Sequence, residues 1–248
     1  MDSFARKSLA IFAWSSLVLA APAQAAQLLI DDFSQSTLTT DGGQALQLSL
    51  GPNDATGTIS SALSLGNGTS LNNVTRYLEV SPSGSSTVPG TSATATAGFG
   101  QFTVSNDTGV DSDISLWYEF DAHDLTAGGL NTALLLEVLT IDQNTSITIT
   151  LRDSAGNSVT TPQQSFTGPG TFFTLFNAFD DGANNVDETS VEFVKLDFAG
   201  PSAWDGSFQF LATNEPPTVP EPGTLALAGL GLIGMGVAAA RRPRKLTA

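Results

Sequence analysis

Few residues of this chain are suited to nucleophilic catalysis. The sequence has one histidine, His123 in the stretch FDAHDL, and no cysteine. A serine–histidine–aspartate triad would have to use His123, and the chain lacks the G-x-S-x-G turn that presents such a serine in many hydrolases. We therefore assign no catalytic residue and interpret His123 as a surface turn residue. A glycoside hydrolase needs only two carboxylates, so hydrolysis of glycans stays an alternative.

Clustered carboxylates are candidate metal ligands. Acidic side chains group at residues 31–32, 107–113 and 180–188. Ca²⁺ binds carboxylate and carbonyl oxygens, but none of these groups has the spacing of an EF-hand loop. The sequence identifies no certain cofactor, and calcium is the ion that these clusters would suit.

Two tryptophans could contact sugar rings. In DISLWYEF, which begins at Asp113, alternation places Trp117 on the polar face of a strand. An exposed indole there could stack on a sugar ring, and Trp204, in a loop before Asp205, is a second candidate. The alternative for Trp117 is packing beneath a loop or a second layer of structure, because tryptophan is usually mostly buried.

Strands must position these side chains, because helical signals are scarce between residues 26 and 215. Ile147, Ile149 and Leu151 alternate strictly with polar residues, which predicts a half-buried strand. Further short apolar or alternating runs recur between turn-forming residues. The strand-like runs are 28–33, 45–50, 99–104, 113–120, 133–141, 146–152, 171–176, 191–198 and 207–212.

Turn chemistry agrees with an all-β chain. Asp or Asn precedes Gly at positions 41, 67, 181 and 205, and such dipeptides favour tight turns. The stretch DSAGNS at 153–158 predicts a hairpin, while the small residues of 81–98 predict a long surface loop. Together these features predict an all-β fold, an antiparallel β-sandwich over residues 26–212.

The N-terminus and the charge point to an exported protein. Residues 1–25 have a basic start, an apolar stretch and Ala23-Gln24-Ala25, the layout of a signal peptide cleaved by signal peptidase. Between residues 26 and 218 the 22 acidic and three basic residues give a formal net charge of −19. That field disfavours nucleic acid as a partner, and without cysteine the domain has no disulfide, so its stability must come from a core.

The C-terminus has three ordered features. A proline-rich linker at 213–223 contains Pro220, Glu221 and Pro222. An uncharged apolar stretch at 224–240 follows, which we predict to be a transmembrane helix. As a helix it would be about 26 Å long, at the short end for a bilayer span. A basic tail at 241–248 begins with Arg241 and Arg242, and its charge predicts that this end stays cytoplasmic.

This arrangement resembles the PEP-CTERM sorting signal over residues 219–245. The matching positions are Pro220, Glu221, Pro222, the apolar helix, Arg241 and Arg242. The resemblance implies an exported protein of a Gram-negative bacterium that makes exopolysaccharide, held briefly in the inner membrane. It also implies cleavage by the membrane protease exosortase, followed by display at the cell surface or secretion.

A second resemblance concerns the domain. LLIDDFS from Leu28 and AWDGSFQF from Ala203 are similar to the first and last strands of carbohydrate-binding-module-like jelly rolls. In that family the terminal strands lie together and acidic residues there help to hold a structural calcium ion. The resemblance therefore implies Asp32 and Asp205 as calcium ligands, against the alternative that Asp32 ends a strand and Asp205 makes a turn.

The sequence therefore predicts a jelly-roll-like β-sandwich in a non-enzymatic cell-surface or extracellular-matrix protein that binds exopolysaccharide. A secreted hydrolase using paired carboxylates is one alternative, which a cleft with two carboxylates would favour. A structural or ice-surface-binding protein is another, and a flat threonine-rich face would favour it.

Overall fold

The fold consists of β-strands. The computed structural model describes residues 27–35, 46–50, 59–82, 91–182 and 184–214. One 3-10 helix, Phe176–Phe179, interrupts the strands. The strands are β1 (Leu28–Asp31), β2 (Leu46–Leu50), β3 (Ile59–Ser64), β4 (Thr75–Pro82), β5 (Ala93–Gly98), β6 (Gln101–Asn106), β7 (Ser112–His123), β8 (Ala133–Ile141), β9 (Thr145–Asp153), β10 (Ser158–Thr160), β11 (Gln164–Phe166), β12 (Gly170–Leu175), β13 (Val191–Ala199) and β14 (Asp205–Asn214).

The described strands form two antiparallel sheets. Sheet 1 has the order β12-β8-β14-β6-β5-β2, with β1 also paired to β14. Sheet 2 has the order β10-β9-β13-β7-β4-β3, with β11 also paired to β9. Their inner faces enclose one apolar cluster, so the predicted antiparallel β-sandwich is confirmed.

Alternation along the strands builds the core. On β7, Ile114, Leu116 and Tyr118 are essentially buried, while the residues between them are partly exposed. Three phenylalanines join the two sheets: Phe102 and Phe208 of sheet 1 lie 5.7 Å apart, and Phe198 of sheet 2 lies 4.9 Å from Phe208, between ring centroids. Core packing of this kind fixes which face of each strand meets solvent.

Two local predictions need correction. Residues 93–98, predicted as part of a surface loop, form strand β5, in which Ala93, Ala95 and Ala97 are fully buried. Alanine scores poorly as a strand former, but its small side chain fits the inner face here. The dipeptide Asp205-Gly206 begins β14 rather than forming a turn. The hairpin at 153–158 is confirmed, because β10 pairs with β9 there.

Several predictions lie outside the described residues. These are the signal peptide at 1–25, the linker from 215 to 223, the apolar stretch at 224–240, the tail at 241–248 and the sorting positions Pro220, Glu221, Pro222, Arg241 and Arg242. Within the described ranges no helix is long and apolar enough to cross a membrane. Strand β14 ends at Asn214, so positions 213 and 214, predicted as the start of the linker, belong to the last strand of the sandwich.

Candidate functional site

The outer face of sheet 2 gathers the polar and aromatic side chains of four neighbouring strands. Strands β4, β7, β13 and β9 pair in register, so outward residues form rows across the face. Successive rows lie about 6.7 Å apart along the strands. Three rows matter here: Tyr77, Trp117, Lys195 and Thr150; then Glu79, Ser115, Asp197 and Thr148; then Ser81, Asp113, Ala199 and Ser146.

An aromatic pair defines the first row. The rings of Tyr77 and Trp117 are stacked, with centroids 5.1 Å apart and planes 3° from parallel. Both side chains are partly exposed, and the Tyr77 hydroxyl donates a hydrogen bond of 3.1 Å to Glu119 Oε2. Desolvation, this hydrogen bond and the charge of Glu119 raise the pKa of Tyr77, so the pair stays neutral at physiological pH. Of the two tryptophan candidates, Trp117 is the one at the surface.

A polar groove continues from this pair. It has a volume of about 380 Å³ and spans the second and third rows. Asp197 lines it between Ser115 and Thr148. Its Oδ1 accepts a hydrogen bond from Ser115 Oγ at 2.5 Å and contacts Lys195 Nζ at 2.8 Å. The other polar side chains that line the groove are Ser81, Asp113, Ser146, Thr148 and Gln163. Hydroxyls, carboxylates and an amide supply both donors and acceptors to a polar ligand.

Trp204 does not belong to this surface. Its side chain is fully buried, and its Nε1 donates to the Ser112 carbonyl over 3.4 Å. Gly200 makes room for the indole, because a Cβ at that position would lie 2.5 Å from the indole Cδ1. This corrects the expectation that Trp204 offers a stacking surface to a sugar.

Asp32 and Asp205 are not brought together. Asp31, the neighbour of Asp32, pairs with Leu211, six residues along β14 from Asp205, which corresponds to about 20 Å. Asp32 Oδ1 accepts from the Ser34 amide at 2.8 Å, and Asp205 Oδ1 accepts from the Asn106 amide at 2.9 Å. The two carboxylates cannot ligate one calcium ion. Among the described residues, no group of three or more acidic or histidine side chains is placed to hold a metal.

The acidic end of strand β1 is neutralised by an arginine side chain, where the sequence suggests a calcium ion. Arg76 Nη1 contacts Asp31 Oδ2 at 2.6 Å, and both side chains are fully buried. Tyr118 donates to the same carboxylate at 2.9 Å, and the second guanidinium nitrogen, Nη2, donates to the Ala97 carbonyl at 2.7 Å. Burial raises the pKa of Asp31, and the charge and hydrogen bond of Arg76 oppose that rise.

Sequence reasoning missed this buried pair, although a signal was present. Alternation in TRYLEV places Arg76 on the same side as Leu78 and Val80, both of which are fully buried. An arginine at such an inward position requires a buried carboxylate partner. Asp31, on the first strand, supplies it.

His123 is remote from the groove. It lies at the end of β7, eight residues past Ser115 and opposite Val191 in the register, about 26 Å along the strand. The adjacent Asp124 caps a turn by accepting from the amides of Thr126 and Gly128 at 2.9 and 2.8 Å. This placement gives His123 no part in the chemistry of the groove.

The outer face of sheet 1 carries a row of hydroxyl side chains. Thr96, Thr103, Ser207 and Thr140 form one row across strands β5, β6, β14 and β8. The hydroxyls of Thr140 and Ser207 lie 2.8 Å apart. A structural or ice-surface role would have to rest on this hydroxyl row.

Comparison with known proteins identifies the C-terminal segment. Residues 218–245 match the PEP-CTERM protein-sorting motif, so the predicted sorting signal is confirmed. The motif implies an exported cell-surface protein that is processed by exosortase. No curated protein sequence matches the chain.

Solved structures show a distant similarity of fold. The family 11 carbohydrate-binding module from Clostridium thermocellum, in complex with a β-1,3-1,4-mixed-linked tetrasaccharide, is 9% identical and has a TM-score of 0.37; the match covers 76% of this chain and 95% of that one. An exo-β-agarase is 9% identical with a TM-score of 0.41, and the match covers 77% of this chain.

An agarase named AgWH50C is 15% identical with a TM-score of 0.37, and the match covers 57% of this chain. This chain spans about a quarter of the length of each agarase, with 25% coverage in both cases. The chain thus carries a PEP-CTERM sorting motif at residues 218–245 behind a two-sheet antiparallel β-sandwich.

Proposed function

We propose that this protein is a non-enzymatic cell-surface or matrix protein that binds exopolysaccharide on the outer face of sheet 2. The observation behind the proposal is the stacked pair Tyr77 and Trp117, one row along the strands from the polar groove. No other described surface combines an exposed tryptophan with a groove.

The chemistry of a sugar chain fits this combination. A pyranose ring has apolar C–H faces, which pack against aromatic rings, and equatorial hydroxyls, which need donors and acceptors. The aromatic row supplies the first kind of contact, and the two groove rows supply the second. The three rows extend over about 13 Å, two steps along the strand, so they accommodate several residues of a linear chain.

The test is binding of the purified chain to a glycan array, followed by titration calorimetry with the best oligosaccharide. We expect Trp117→Ala to weaken binding about fivefold or more, taking as a guide the roughly 1–3 kcal/mol that stacking of a nucleic-acid base on an aromatic side chain contributes. Phe99→Ala is the matched control, because Phe99 is 51% exposed but belongs to the hairpin between β5 and β6 on the other sheet. Equal losses in both variants, or no glycan bound by the parent chain, would contradict the proposal.

Hydrolysis is the second candidate, favoured by one observation. Asp113 and Asp197 both line the groove and are diagonal neighbours across β7 and β13, a placement that puts their Cα atoms about 7–8 Å apart. Inverting glycoside hydrolases place their two carboxyl groups about 6.5–9.5 Å apart, a separation that two aspartates with this Cα spacing can reach. The contacts of Asp197 Oδ1 with Lys195 and Ser115 favour binding over catalysis. Release of reducing ends that disappears in Asp197→Asn would favour the hydrolase.

The sorting signal supports export and removal of the C-terminus. In a host with exosortase, intact-mass measurement should give a chain that begins after residue 25 and lacks the apolar stretch at 224–240. A Pro220→Ala, Pro222→Ala double variant should retain the stretch and stay in the inner membrane. The same mass from a host without exosortase would show that another protease acts.

A further inference from the structure

The charges on the outer face of sheet 2 are strongly one-sided. Six carboxylates and two cations project from the described strands of this face. The carboxylates are Glu79, Asp113, Glu119, Asp121, Glu192 and Asp197, and the cations are Arg152 and Lys195. An excess of one sign along a groove produces a potential that selects ligands by charge.

Both cations of this face are already engaged. Arg152 Nε lies 3.0 Å from Glu192 Oε1, and Lys195 Nζ lies 2.8 Å from Asp197 Oδ1. Arg152 also lies over the ring of Phe193, 4.7 Å from its centroid. An anionic ligand would therefore have to break one of these pairs to find a cationic partner.

The side chains that line the groove are also negatively charged or neutral. Asp113 and Asp197 are its charged lining residues, and its remaining polar side chains are hydroxyls and one amide. Lys195 lies in the aromatic row beside Trp117, outside the set of lining residues. A sugar that stacks on Trp117 and extends along the groove thus passes two carboxylates.

We infer that the glycan of this site carries free amino groups. This inference rests on the proposed function and adds a substrate class to it. A protonated amine on the sugar gains attraction from Asp113 and Asp197, an N-acetylated sugar gains none, and a uronic acid is repelled. The order of affinity is therefore amino sugar, then N-acetylated sugar, then uronic acid.

Oligosaccharides of equal length test this order. Glucosamine oligomers, N-acetylglucosamine oligomers and galacturonic acid oligomers are titrated into the purified chain at mildly acidic pH and low salt. We expect the glucosamine oligomer to bind about tenfold more tightly than its acetylated counterpart, with an advantage that falls as salt is added. The galacturonic acid oligomer should bind least.

Two variants should move the preference in opposite directions. Asp197→Asn should remove most of the advantage of the glucosamine oligomer, because it deletes one of the two carboxylates that line the groove and leaves Lys195 without its partner. Lys195→Met should increase that advantage, because it keeps the aliphatic stem and frees Asp197 from its ion pair. Opposite effects from two neighbouring residues are not expected of a general loss of structure.

Glu137→Gln is the control for the overall negative charge. Glu137 lies on β8 in sheet 1, where it accepts from Thr171 at 2.5 Å, so its loss should leave the preference unchanged. Equal effects of Glu137→Gln and Asp197→Asn would overturn the inference. So would binding that depends on Trp117 but not on ligand charge, although the proposed function would then stand. Failure of all three oligomers and of every array glycan would instead count against the proposed function.

Discussion

At the scale of single residues, the ion pair between Asp31 and Arg76 places two charges in the core, where each needs the other as a partner. Of the three ion pairs among the described residues, it is the one buried on both sides. Gln35 Oε1 accepts a further bond of 3.0 Å from Arg76 Nη1, and the Phe33 amide donates 2.8 Å to Asp31 Oδ1. These bonds tie the segment after β1 to the inner faces of both sheets.

Removing the guanidinium should be far more harmful than removing the pair. Arg76→Met leaves an uncompensated buried carboxylate, so we expect the free energy of unfolding to fall by about 3–5 kcal/mol. The double variant Asp31→Leu, Arg76→Met should recover most of that loss, because no charge stays buried. Urea denaturation measures both, and a double variant as unstable as the single one would contradict this account.

Asp153 is the second buried carboxylate with a clear role. Its two oxygens accept the Ala155 and Asn157 amides, the Asn157 side chain and the Asp187 amide, at 2.8–3.1 Å. Burial raises the pKa of Asp153, but these hydrogen bonds outweigh that effect and leave the pKa below its ordinary value. The carboxylate therefore holds the turn between β9 and β10 to the loop before β13.

The lowered pKa makes this contribution to stability pH-dependent. It is present in full above the unfolded value of about 3.9 and is lost as the pH falls through the folded pKa. Asp153→Asn replaces one of the two acceptor oxygens with an NH2 group, which cannot accept from the surrounding N–H donors. We therefore expect the free energy of unfolding to fall by about 2–3 kcal/mol at pH 7. Denaturation curves across pH should show the loss shrinking below pH 4, and a constant loss would contradict the assignment.

At the scale of elements, the hairpin of β5 and β6 contains local strain. Its two turn residues, Phe99 and Gly100, have φ values of 58° and 81°. A two-residue turn with both φ values positive favours Asn-Gly, whereas a phenylalanine is disfavoured in that conformation. The side chain of Phe99 is exposed and so gains little from packing.

Replacing Phe99 should therefore stabilise the hairpin. We expect Phe99→Asn to raise the free energy of unfolding by about 1 kcal/mol, the order of the left-handed penalty. Phe99→Ala should give no such gain, because alanine meets the same backbone restriction. Thermal denaturation of the two variants distinguishes turn conformation from the removal of an exposed ring.

The elements that sequence predicted are those rich in large apolar residues. Strand β8 has the predicted limits, and β7, β9 and β13 lie at the predicted runs. Strand β5 was missed because its inward residues are alanines, and β4 because Arg76 occupies a core position. Alternation can describe one strand but does not specify which strands pair. The outward direction of Trp117 was therefore predictable, whereas its stack on Tyr77 depends on the pairing of β4 with β7.

The same limit explains Trp204. Nothing in its local sequence shows that Gly200 leaves space for the indole or that the Ser112 carbonyl lies within reach. Ser112 is 92 residues from Trp204 in the chain, and Gly200 meets the indole through the fold of the turn between them. Burial of this kind follows from tertiary structure rather than from local pattern.

At the scale of the whole molecule, net charge is the dominant feature. Residues 26–218 contain 22 acidic and three basic residues, and all three bases are in ion pairs with carboxylates. The remaining carboxylates repel one another, which disfavours the compact state. Salt screens exposed charges over about 10 Å at 0.1 M, while the buried Asp31–Arg76 pair is affected little.

Salt should therefore stabilise the domain, and no cation should do so specifically. We expect the melting temperature to rise by several degrees between low salt and 0.5 M NaCl, since 1 kcal/mol shifts Tm by about 2–4 °C at this size. At equal ionic strength CaCl2 and MgCl2 should raise it equally, because Leu211, the partner of Asp31, is six residues from Asp205 on β14, about 20 Å along the strand. Asp32 and Asp205 therefore do not meet at one ion. A larger rise with calcium, reversed by EDTA and absent in Asp32→Asn or Asp205→Asn, would show a specific calcium site at the carboxylate whose loss abolishes it.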